Sequence, residues 1–129
     1  MESRVLAEEI INLLESKKAQ DIVLIDISKK VDFADYFIIC SAHSTKHTQG
    51  LTDFITFELE KLGIKPLGIE GYELGQWIVI DYDTVVVHIF YEPIRKIYAL
   101  EELWGESPLS TQEHEDLKSP LETFPPREV

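Results

Sequence analysis

Two apolar runs, QWIVID (residues 76–81) and TVVVHIF (residues 84–90), are separated only by Tyr82 and Asp83. Nothing else in the chain constrains its fold so tightly. Two β-branched stretches this close can bury their side chains together only by folding back as an antiparallel hairpin. They form the strongest strand pair of the chain, and a third run, DYFIIC (35–40), is so nearly continuous in its apolarity that burial on both faces is expected for it. The same stretch raises the functional question. Asp81 and Asp83 suit a carboxylate pair sharing Mg²⁺ on a strand, a plain β-turn, or an acidic surface facing a basic partner.

The remaining periodicity places the other elements. Leu6, Ile10, Leu13 and Leu14 recur at helical spacing between Ser3 and Lys18, with Ser3 as the expected N-cap. DIVLIDI (21–27) and DYFIIC (35–40) read as strands around a polar turn. Ser41 to Ser44 break the pattern. A second helix follows, capped by Ser44, burying Leu51, Phe54, Ile55, Leu59 and Leu62, and ended by Gly63 and Pro66. PLGIEGYELG holds one short strand among turns, and Pro93 opens a third helix whose buried side would carry Ile94, Ile97, Leu100, Leu103 and Trp104. The order α-β-β-α-β-β-β-α predicts an α/β domain: a mixed β-sheet of about five strands with flanking helices.

Composition narrows the function classes. A chain of 129 residues with 44% hydrophobic residues has the length of one domain and enough apolar material for a core. No apolar run reaches the roughly 20 residues needed to cross a bilayer. Glu2, Glu8 and Glu9 stand where a secretory signal would be basic, so a cytoplasmic or organelle-matrix location is expected. A single cysteine, Cys40, excludes an internal disulfide. The net charge of −12 disfavours contact with phosphate backbones, so no direct DNA binding is expected, and it favours encounter with basic proteins.

Other candidate chemistry is thin. His43 and His47 lie four apart at a helix start but lack a third ligand, and Ser44 is fully explained as a cap. Cys40 ends a buried strand as inert core. His88 reads first as a structural histidine of its strand. Gly68, Gly71 and Gly75 match neither a dinucleotide fingerprint nor a P-loop. More informative is the company that Tyr72, Trp77, Tyr82, Tyr98 and Trp104 keep with Glu70, Glu73, Asp81, Glu101 and Glu102. Aromatics ringed by carboxylates suit a protein interface.

The stretches DIVLIDIS, ADYFIICSAHSTKHTQ, IEGYELGQWIVIDYDTVVVHIF and IRKIYALEELWG together resemble the ribosomal silencing factor, or Iojap-like, family from about Arg4 to Gly105. The ordered run W-x-x-x-D, V-V-V-H, R-K-x-Y-x-L-E-x-L-W makes the likeness specific. The resemblance implies a nucleotidyltransferase-like α/β fold without established catalysis, and binding to large-subunit ribosomal protein fourteen at the subunit-joining face. It further implies a block on small-subunit joining that lowers translation under nutrient limitation, and a homodimer when free. Two positions depart from the family pattern. Ala42 stands where the family often has Gly, and Asp83-Thr84 stands where the turn usually reads Gly-Asp. Moving a carboxylate by one position suits a binding turn better than a catalytic pair, whose second group would swing to the other face.

The expected organisation is a silencing-factor domain over 1–104 and an acidic, proline-containing, disordered tail over 105–129. The expected partner-binding set is Trp77, Asp81, Tyr72, Glu70, Glu73, Tyr82, His88, Tyr98, Glu102 and Trp104, with no cofactor and no metal. Trp77 and Asp81, four apart on one strand, are expected to share a continuous exposed patch. The alternatives are a Mg²⁺-dependent nucleotidyltransferase-like enzyme using Asp81 and Asp83, and a large-subunit assembly factor.

Overall fold

The structure is a computed structural model and describes residues 1–99. Helix α1 (Ser3–Ser16) leads into strands β1 (Gln20–Asp26) and β2 (Tyr36–Ala42). Helix α2 (Thr45–Glu60) and the short strand β3 (Gly68–Glu70) follow. Then come β4 (Trp77–Asp81), β5 (Val85–Tyr91) and helix α3 (Glu92–Tyr98). The strands form one mixed five-stranded sheet in the order β1-β2-β5-β4-β3. Only the β2–β5 pair is parallel; the others are antiparallel. The expected α/β architecture is therefore the one observed.

Strands β1, β2, β4 and β5 send alternate side chains to two separate cores. On one face Ile38, Cys40, Ile78, Ile80, Val87 and Ile89 pack against Leu6, Ile10 and Leu14 of α1 and Leu51, Ile55 and Leu59 of α2. On the other face Phe37, Ile39, Trp77, Val79, Val86 and Phe90 gather with Ile27, Ala34 and, from α3, Ile94. The two-sided burial predicted for DYFIIC is observed in β2, and β4 and β5 share the same double covering.

Several local expectations shift. The N-cap of α1 is Glu2, and Ser3 is already helical. Strand β2 runs through Ser41 to Ala42, because that stretch stays paired with Phe90 and Tyr91 of β5. Leu62 lies beyond α2 and is exposed, Phe54 is half-buried, and Thr48 and Thr52 complete the buried stripe. Their hydroxyls find acceptors close by, Thr52 Oγ1 donating to the Thr48 carbonyl at 3.0 Å, so burial leaves no polar group stranded. Ser44 caps α2 as expected, its Oγ accepting the His47 N–H at 3.0 Å. Gly63, at φ +79, turns the chain away after the helix.

In α3 Ile97, expected on the buried side, is exposed, and the buried side chain is Arg95. Arg95 Nη1 donates to the Asp21 carbonyl and to Ser41 Oγ, both at 2.7 Å. Asp21 sits in a bulged part of β1, at φ +50, where the ladder with β2 loses its register. The arginine thus ties α3 to the sheet through a carbonyl the bulge exposes. Expectations for Leu100, Glu101, Glu102, Leu103, Trp104 and the segment 105–129 fall outside the described residues.

Candidate functional site

The β4–β5 hairpin answers the question posed by its two aspartates. Asp81 pairs with Val86, and the Tyr82 N–H donates to the Val85 carbonyl at 2.9 Å. The tight loop is therefore Asp83-Thr84, one position later than the spacing predicts. Asp83 adopts φ +71, a left-handed conformation that Asp tolerates better than most residues. Its N–H donates to Asp81 Oδ1 at 2.8 Å. One carboxylate caps the turn and the other lies out in the loop. The i, i+2 geometry of a strand-borne metal pair is not formed. Among the described residues no group of three or more His, Cys, Asp or Glu is placed to hold a metal ion.

Three residues expected at the interface belong instead to the core. Trp77 is 4% exposed. Its ring stacks on Phe90 at 5.0 Å and meets Tyr98 at 4.4 Å. Its Nε1–H donates to His88 Nδ1 at 3.2 Å, which leaves the ring proton of a neutral His88 on Nε2. His88 is wholly buried beside Phe37, and burial lowers its pKa to about 3. Tyr82 is buried too. Its hydroxyl has no hydrogen-bond partner among the described residues, and burial pushes its pKa up to about 12. The expected Trp77–Asp81 patch is corrected accordingly. The two residues share a sheet face, but α3 covers it at Trp77 and only Asp81, half-buried, reaches the rim.

The acidic turn expected at the rim lies at the surface, and the spacing of apolar residues gives no sign of its support. Glu70, Tyr72 and Glu73 are all exposed, in β3 and the turn after it. Three side chains of α2 hold that turn. Gln49 Nε2 donates to the Tyr72 carbonyl at 2.8 Å and the Glu73 carbonyl at 3.1 Å. The Tyr72 hydroxyl donates to both Asp53 oxygens, at 2.9 and 3.0 Å, and this bond raises the phenol's pKa. Thr48 Oγ1 donates to the Gly75 carbonyl at 2.6 Å. Gly75, at φ +70, closes the turn against the helix so tightly that a Cβ would lie 2.9 Å from Thr45 Cβ. Polar residues 48, 49 and 53 lie along one side of α2 when drawn on a helical wheel, a signal for a docked loop that periodicity of apolar residues alone overlooks.

Asp81 lies on the same sheet face as Glu70, since their cross-strand partners Gly68 and Val79 are two residues apart from them in the ladder. Tyr98 is 39% exposed above Trp77. The structure therefore brings Glu70, Tyr72, Glu73, Asp81 and Tyr98 to the surface and withdraws Trp77, Tyr82 and His88. Glu102 and Trp104 lie outside the described residues. His43 and His47 face different neighbours: His43 Nδ1 is 3.9 Å from Glu92 Oε2, and His47 Nε2 is 3.0 Å from the Lys17 carbonyl. Cys40 is buried, and burial raises its thiol pKa to about 12, consistent with an inert core residue.

The model of the family described as "Ribosomal silencing factor during starvation" matches residues 1–127. Ribosomal silencing factor RsfS of Bacillus subtilis is 36% identical over 96 residues, covering 74% of this chain and 81% of that protein. The protein of the same name from Halalkalibacterium halodurans is 34% identical over 108 residues, 84% of this chain and 92% of its own. A mouse protein named "Mitochondrial assembly of ribosomal large subunit protein 1" is 29% identical over 98 residues, 74% of this chain and 43% of its own. Among solved structures, a Chromobacterium violaceum protein superposes with a TM-score of 0.80 at 31% identity, over 85% of this chain and 92% of its own.

Proposed function

The chain belongs to the ribosomal silencing factor family, and from that premise we propose that it represses translation by binding large-subunit ribosomal protein fourteen. Bound there, it keeps the small subunit from joining and lowers translation under nutrient limitation. A regulatory, ribosome-associated factor needs affinity and bulk at one place rather than a catalytic centre. The observation that carries this reading is the acidic turn of Glu70, Tyr72 and Glu73, fixed in an exposed position by Gln49 and Asp53 of α2. A rigid acidic surface loses little entropy when it docks, and it meets a basic protein with complementary charge. Asp81 and Tyr98 extend the contact on the neighbouring sheet face.

Co-sedimentation with purified large and small subunits tests the proposal. The chain should pellet with large subunits and reduce joining. Glu70→Lys combined with Glu73→Lys should weaken pelleting at least tenfold, because like charges then face each other, while melting as the wild type does. Wild-type joining in the presence of a stoichiometric excess of the chain would overturn the proposal. A role in large-subunit assembly is a second reading, favoured by the printed name of the mouse relative. Depletion that shifts large-subunit precursors on gradients, with joining of mature subunits unaffected, would select it. Bacterial relatives, together with relatives named as mitochondrial and chloroplastic, accord with action in the cytoplasm or an organelle matrix.

A further inference from the structure

We propose that the β3 edge takes up an extended basic segment of the large-subunit protein as an added strand. The inference rests on the functional reading above and specifies how the contact is made. Among the described residues β3 is the terminal strand of the sheet and pairs only with β4. One side of its backbone therefore presents N–H and C=O groups to an incoming chain. All three of its residues are exposed, and a Cβ built at Gly68 meets nothing within 4 Å. The opposite edge is unlike it. There β1 is bulged between Gln20 and Val23, with Asp21 at φ +50 and its carbonyl engaged by Arg95, and a bulge of this kind spoils a ladder.

The side-chain alternation of β3 states what the added strand must carry. Ile69 lies opposite Ile80, on the α2 side, and Leu67 just before the strand is also exposed. Glu70 lies opposite Val79 and shares the other face with Asp81. A neighbouring strand sets its own side chains directly beside those of β3. Apolar residues then flank Ile69, and Lys or Arg residues at alternate positions flank Glu70 and extend toward Asp81 across Gly68, which has no side chain to intervene. The net charge of −12 reinforces the choice of a basic partner. The turn pinned by Gln49, Asp53 and Thr48 gives the end of the strand a fixed shape.

Residue-resolved hydrogen–deuterium exchange on the full-length chain, alone and with purified large ribosomal subunits, tests this alongside pelleting. Consecutive strand amides alternate inward and outward, so one of the variants Ile69→Pro and Glu70→Pro removes an outward donor. The outward amide of β3 should exchange at least tenfold more slowly in the complex. At least one proline variant should pellet tenfold more weakly while exchange in β2, β4 and β5 stays as in the wild type. Wild-type binding with unchanged exchange at 68–70 overturns strand addition and leaves the functional reading standing. A wild type that does not pellet with large subunits overturns that reading, and this inference with it. Protection of the outward amide in the free chain, whether from its own residues or, if concentration-dependent, from a second copy, also overturns the proposal.

Discussion

Single residues on the hairpin divide into those that face a partner and those that hold the sheet. Trp77 stacks between Phe90 and Tyr98 and donates to His88. Its truncation to Ala should cost about 3–5 kcal/mol of stability, as for large buried aromatics generally, and any loss of ribosome binding should follow the loss of fold. Thermal melting beside pelleting separates the two. Tyr82 poses the opposite case, because its buried hydroxyl has no described partner. Tyr82→Phe should melt at or above the wild-type temperature; a loss beyond about 1 kcal/mol would reveal a hydrogen bond. His88 makes stability depend on pH. Its pKa is lowered from 6.5 to about 3 by burial, so between those values the unfolded chain binds the proton and the folded chain does not. Stability therefore falls as pH drops through that window, by up to about 1.4 kcal/mol per unit, and is unaffected by this group at higher pH. In His88→Gln the melting temperature should fall less between pH 6.5 and pH 5 than in the wild type.

At the level of elements, the strands are legible as short β-branched apolar runs and the helices by apolar residues at period 3.6, and Ser44 and Pro93 announce their helix starts. The interface was harder to read. Aromatic residues beside carboxylates look alike whether a helix covers them or not. For Trp77 the decision was made by α3, whose Tyr98 lies 4.4 Å away, a contact that no spacing in the chain encodes. The hairpin slipped by one position because Asp83 takes φ +71, and a positive φ at Asp has no local signature as strong as glycine's. The support of the acidic turn has no such signature, because Thr48, Gln49 and Asp53 act through hydrogen bonds to a loop 19 to 27 residues onward. Gly75→Ala tests that support. It combines a left-handed φ with a Cβ 2.9 Å from Thr45, and should cost about 1–3 kcal/mol. If the turn's rigidity matters, subunit binding should weaken in this variant even at temperatures well below its melting point. Unchanged affinity would show that the turn need not be pre-set.

For the whole molecule, a charge of −12 on 129 residues makes encounter with a basic partner depend on ionic strength. Association with large subunits should slow markedly between about 50 and 300 mM salt while dissociation changes less, as stopped-flow mixing would show; a salt-independent association rate would place the contact away from the acidic face. Light scattering of the free chain is expected to show a homodimer of twice the 14.9 kDa chain mass; a monomer at all micromolar concentrations would contradict it. The parallel pairing of β2 with β5 carries a consequence for how the chain is made. Each of the hairpins β1–β2 and β4–β5 can close from neighbouring residues, but they join only when residues 36–42 meet residues 85–91. Closing so long a loop is the slow entropic step. During synthesis the first half therefore waits with the apolar flank of β2 unpaired until β5 has left the exit tunnel. A nascent chain stalled after α2 would hold a sticky half-sheet that no local rearrangement can finish, and the last strand to arrive is the one that commits the fold.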